Sequence, residues 1–194
     1  LMATGKFESG WDCYGEIAGQ CGTEARNDRI GLGVGGDLGY TFKQVAMTPR
    51  VHAAYEYLSG DDPDTKTCEG FDPGLARWPR WSELLYYRWS RENQRIGYWT
   101  NLQRLGVGAG IVPLKNMNFD LDYNLVLANE HEDGTSSPYG SGRVRGNLIS
   151  ALLRHKFNKH LSAHLFVEYF MPGNYYDDTT DPAVFARFQV EITF

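Results

Sequence analysis

Ionisable side chains stand at alternate positions inside otherwise apolar stretches of this chain: Arg29, Arg50, His52, Glu56, Arg104, Asp120, Asp122, Arg154, Glu168 and Arg187. A strand has a side-chain period of two, so each stretch gathers these residues on one face and its apolar residues on the other. Acids and bases sharing one face perform electrostatic chemistry. They set a transverse field, orient polar solutes and repel the wrong charge. Arg50, Arg104, Arg154 and Arg187 would attract anionic groups, with Glu56, Asp120, Asp122 and Glu168 balancing them.

Other chemistries fit the residues less well. Ser82-Glu83 and His131-Glu132-Asp133 lie between strands with no nucleophile, base and orienter in sequence reach, so an enzyme is not expected. "GLGVGG" matches a dinucleotide fingerprint at Gly31, Gly33 and Gly36, but that chemistry needs a helix after the last glycine, and strand alternation continues through Phe42. No cofactor is expected. His160 and His164 could share a metal on a helix; on a strand they are ~13 Å apart. Asp61, Asp62 and Asp64 form a weak calcium candidate in a loop whose spacing departs from the EF-hand pattern. Among the three cysteines, Cys21 follows a strand over 10–20 and Cys68 lies in a long loop at that strand's end. A Cys21–Cys68 disulfide there would contribute about 3–4 kcal/mol; three free thiols is the alternative.

These side chains must be positioned by strands. "MNFDLDYNLVL", "HLSAHLFVEYF", "RIGLGVGGDLGYTF", "PRVHAAYEY" and the terminal "RFQVEITF" alternate clearly, and weaker strands are predicted at 10–20, 98–111 and 143–157, with a partial one at 1–7. Short connections alternate with long ones (59–97, 129–142 and 172–182), which places all long loops at one end. That asymmetry, with apolar faces tall enough for a band of ~25 Å, predicts an all-β, transmembrane antiparallel β-barrel. The alternatives are a closed eight-stranded barrel plugged by its own side chains, and a soluble lipocalin-like barrel with the apolar face inward. In 59–97, Trp81, Leu84, Leu85 and Trp89 have helical spacing, so an extracellular loop carrying a short helix is expected, against a hairpin projecting above the membrane. A net charge of −5 without a basic stripe argues against nucleic acid as a partner.

Taken in order, "YEYLSGDDPDTKTCEGFDP", "TNLQRLGVGAGIVPLKNMNFDLDY" and "GNLISALLRHKFNKHLSAHLFVEYFMPGNYY" resemble the alginate-export family of outer-membrane barrels. The carriers are Ser59-Gly60-Asp61, Thr100-Asn101-Leu102, and Glu168-Tyr169-Phe170 with Pro172-Gly173. The resemblance implies a channel in the outer membrane of a Gram-negative bacterium. Lipid would surround it and a polar solute or anionic polysaccharide would pass through it. It also implies an 18-stranded architecture, of which residues 1–194 form a single C-terminal region lacking N-terminal strands, so that first and last strands do not pair. The predicted inner face is mixed in sign where the family's founding member is arginine-rich. Phe188, Val190, Ile192 and Phe194 resemble the aromatic-ended last strand read by the barrel assembly machinery.

Overall fold

The computed structural model describes residues 1–24, 27–74, 81–92, 99–131 and 139–194. Its strands are β1 (Met2–Lys6), β2 (Trp11–Glu24), β3 (Asn27–Thr41), β4 (Arg50–Leu58), β5 (Leu102–Leu114), β6 (Met117–Leu127), β7 (Val144–Lys156), β8 (Leu161–Pro172) and β9 (Ala183–Ile192); α1 spans Leu84–Glu92. The nine strands form one antiparallel meander in chain order, each bonded to its sequence neighbours. The closed eight-stranded alternative is therefore overturned: β1 and β9 are the two edges of the sheet and are not paired with each other.

Registers confirm the predicted parities. Leu121 stands opposite Ala151, and Ala151 opposite Val167, on the apolar side; Asp122, Ser150 and Glu168 align on the other. The apolar side is the exposed one: Ile30 is 62% exposed, Val107 57% and Phe188 70%. A soluble barrel would bury that face, so the lipocalin-like alternative fails. Contiguous apolar exposure on this scale is what hydrocarbon covers.

The polar face is concave. Glu56 of β4 bonds Trp81 (2.5 Å), while Arg187 of β9 bonds Glu83 (2.8 Å). Residues two apart in the chain lie within ~7 Å. In a flat sheet, β4 and β9 would be five spacings, ~24 Å, apart. The sheet curls around the 81–92 segment.

Two expectations change at the long-loop end. The predicted strand 10–20 continues to Glu24, and β3 begins at Asn27, so these strands of 14 and 15 residues rise as a tall hairpin. Fifteen residues extend ~50 Å, more than the ~30 Å of hydrocarbon even when tilted by ~40°. The helix expected in 59–97 is present, but it folds inward onto the concave face instead of standing outside. Strand β5 starts at Leu102; Tyr98, the first residue of the expected 98–111 strand, lies outside the described residues.

Candidate functional site: the inner wall and the helix it holds

Nearer the short turns, a chain of ionisable groups crosses five strands. Arg50 donates from Nε and Nη2 to the two oxygens of Asp12 (3.0 and 2.6 Å) and from Nη2 to Asp37 (2.8 Å). His52 continues it, with Nδ1 2.5 Å from Asp37 and Nε2 2.7 Å from Asp122. Carboxylates stand at both ends of the ring, which makes His52 a spacer between them. These contacts skip strands, and glycines make that possible. Gly39 lies in register between Asp12 and His52, and Gly108 between His52 and Asp122. A Cβ on Gly39 would meet the Arg50 guanidinium, and one on Gly108 would meet both His52 Nε2 and Asp122 Oδ1. Beside this belt, Arg154 bonds Asp120 at 2.8 Å on a more exposed stretch.

Nearer the long loops the inner face becomes apolar. Leu58, Leu102, Val126, Leu148 and Phe170, one from each of β4 to β8, are buried together with Leu85 and Trp89 of α1. Around this cluster the wall grips the helix by charge. Glu168, wholly buried, accepts the amide N–H groups of Glu83 and Leu84, both at 2.9 Å. Ser82 caps the same end by accepting the Leu85 amide at 3.0 Å. A carboxylate at a helix N-terminus also meets the positive end of the helix dipole. Arg104 lies 3.4 Å from Glu56 and 4.9 Å over the Trp81 ring. At the other end, Arg145 pairs with Glu92 at 3.3 Å and lies 4.3 Å over Tyr175. Arg145 sits where the β6–β7 register shifts between Val126 and Leu127; such a bulge re-aims a side chain.

The rim is tied by amide side chains. Asn101, at φ 54°, accepts the backbone N–H groups of Asn129 and Glu130 (both 2.8 Å) and donates to the Glu130 carbonyl (2.9 Å). Asn129 donates to the Leu58 carbonyl at 2.5 Å. The Ser59 carbonyl accepts from Thr100 Oγ1 (2.9 Å) and from the amides of Phe71 and Asn101 (3.0 and 3.2 Å). The sequence elements Ser59-Gly60 and Thr100-Asn101 thus meet in one knot.

All the charged positions expected on the inner face lie on its parity, and the fold adds a fact that alternation alone does not contain: their arginines are paired. Arg50, Arg104, Arg154 and Arg187 each have an acidic partner within 4 Å, and Arg29 donates to the Gly70 carbonyl at 2.7 Å. Two expectations are corrected. Cys21 and Cys68 are free thiols: Cys21 pairs with Ile30 across β2–β3, whereas Cys68 bridges Arg29 on the far side of β3. They are two strand spacings apart, ~10 Å, and on opposite faces, beyond the ~7 Å reach of a disulfide. Burial pushes the Cys68 thiol above the ordinary range, and the nearby Asp61 charge adds to that. The calcium candidate also fails. Asp61 accepts the Glu69 amide and Asp62 the Asp64 amide, and no group able to hold a metal ion forms among the described residues.

Gly31, Gly33 and Gly36 lie within β3 with no helix after them, which removes the nucleotide fingerprint. His160 bonds the Thr193 carbonyl in a turn while His164 faces inward on β8, so the two do not converge. Phe188, Val190 and Ile192 lie on the exposed apolar face; Phe194 follows the last paired residue, Ile192, and is fully exposed. Residues missed by pattern reading are Leu58, Leu102, Val126, Leu148 and Phe170. Their signal was present: apolar residues on the polar parity, all at the same ends of their strands.

No curated protein matches the chain closely enough to serve as a relative. A protein-family model described as alginate export matches residues 1–189, nearly the whole chain. With an exposed apolar face, a charged concave face and one antiparallel meander, this β-barrel wall belongs to the alginate-export family of outer-membrane transport proteins.

Proposed function

We propose that the chain lines an outer-membrane channel of a Gram-negative bacterium for passive passage of polar or charged solutes, anionic saccharides among them, within a larger barrel of up to 18 strands. The observation that carries this reading is the division of charge on the concave face. On β2 to β6 the inward acids Asp12, Asp37, Glu56, Asp120 and Asp122 outnumber Arg29, Arg50 and Arg104, whereas on β7 to β9 Arg154, Lys156 and Arg187 outnumber Glu191, with Arg145 and Glu168 buried against α1. A solute passing α1 meets an acidic sector on one side and a basic sector on the other. Its dipole turns before it passes, which favours zwitterionic or hydroxyl-rich molecules over simple ions. The paired arginines act as fixed dipoles, so a polyanion would be oriented more than captured. Solutes pass beside α1, which narrows the lumen. Phe188, Val190, Ile192 and Phe194 present the terminal strand to the assembly machinery, and lipid covers the apolar face.

Planar-bilayer recording tests the proposal. The protein is expected to conduct with weak ion selectivity, and the Arg154→Gln/Arg187→Gln pair to move the reversal potential toward cation preference. Absence of conductance would sink the channel reading and leave a plugged barrel, for which the inward helix is the supporting observation.

A further inference from the structure

We infer that the concave face carries a saccharide-stacking subsite formed by Tyr87, Phe185 and Phe166, with the Arg187–Glu83 pair beside it. This rests on the channel reading and names what that wall would hold. Phe166 and Phe185 share the parity of Glu168 and Arg187, so they face the lumen and not lipid: Phe166 stands opposite Arg187, and Phe185 opposite Glu168. Tyr87 reaches them from α1, its ring 6.4 Å from that of Phe185, which lies 6.3 Å from Phe166. The three rings form a continuous chain from α1 across β9 to β8. None belongs to the buried apolar cluster under α1, and Tyr87 is 55% exposed. Phe166 and Phe185 are half-buried, so each keeps part of its ring open to the lumen. Aromatic surface on a charged, watery wall is costly to keep unless something covers it intermittently.

The occupant that suits the site has both an apolar face and a polar edge. A hexose ring presents C–H groups on its faces and hydroxyls around its rim. Its face would lie on these rings, and its hydroxyls would meet the guanidinium and carboxylate of the Arg187–Glu83 pair, 2.8 Å apart and partly exposed. A few placed polar groups beside a hydrophobic surface are the usual composition of such sites. Arg187 and Glu83 supply a donor and an acceptor together, as a hydroxyl requires.

The test uses maltohexaose, a neutral oligosaccharide, so that lumen charge does not supply the attraction. In single-channel recordings of the protein, maltohexaose should produce resolved blockages. The Phe166→Leu/Phe185→Leu variant, which keeps apolar volume but removes the rings, should shorten their dwell time about tenfold. Current in the absence of sugar reports that each channel has assembled. Equal dwell times in both proteins, or a conducting wild-type channel that maltohexaose never blocks, would overturn the subsite. If the protein does not conduct, the channel reading has failed separately, and calorimetry of maltohexaose against the detergent-solubilised protein decides: binding weakened in the leucine variant supports the subsite, and no binding ends it.

Discussion

Replacing Glu168 by Gln should loosen α1 without unfolding the sheet. The helix has nine residues, fewer than the ~12–15 that an isolated helix needs to persist in water, so its order depends on what holds it. Glu168 supplies two charge-assisted hydrogen bonds at 2.9 Å, in a wholly buried position at the positive end of the helix dipole. Bonds to a charged group are worth about 1.5–3 kcal/mol each, and glutamine keeps one accepting oxygen but not the charge. A net loss of about 2 kcal/mol follows, or a roughly 30-fold rise in the population with the helix released. Burial of Leu85 and Trp89, at about 1.5–3 kcal/mol each, keeps the docked state dominant. Hydrogen exchange followed by mass spectrometry would show amides of 84–92 exchanging about 30-fold faster, with β7 and β8 unchanged. Unaltered exchange in 84–92, or equal acceleration in every strand, would refute the view of Glu168 as a local latch.

Gly108→Val should push His52 and Asp122 apart and cost about 2–3 kcal/mol, read as a lower midpoint in heat-dependent gel mobility; an unchanged midpoint would show that the strand-crossing contact is dispensable. The raised Cys68 thiol holds less thiolate at neutral pH than an ordinary cysteine. Its alkylation by iodoacetamide should keep accelerating above the ~8.5 at which an ordinary thiol is half-ionised, and a rate that levels off there would contradict the burial. A non-reduced digest should return Cys21 and Cys68 as separate peptides, and a linked peptide would contradict their placement on opposite faces. Phe194→Ser should lower the yield of barrel in the outer membrane while leaving the conductance of assembled channels intact, and undiminished assembly would deny the terminal strand its role as a signal.

Period-two alternation made the sheet legible, because each strand separates its apolar and charged residues with few exceptions. The facing of Arg50, Asp120 and Glu168 followed directly from it. Their pairing did not, since Arg50 reaches Asp12 across β3 only because Gly39 leaves room. Strand order was needed to know which glycine lay under which side chain. The helical spacing of Trp81, Leu85 and Trp89 disclosed α1 but not its direction, which is set by Glu168, some 85 residues away in sequence. The disulfide expectation failed for a similar reason. Two cysteines at the same height look close until the strand between them is known.

The knot of Ser59, Asn101 and Asn129 has a mechanical consequence. It fastens the ends of β4, β5 and β6 to one another through short bonds that do not involve α1. The rim over β4 to β6 is therefore tied independently of α1. Release of α1 would leave these bonds intact. Displacing the helix would break the Glu168 latch, the Arg145–Glu92 and Arg187–Glu83 pairs, and the apolar patch under it, while the rim bonds would stay.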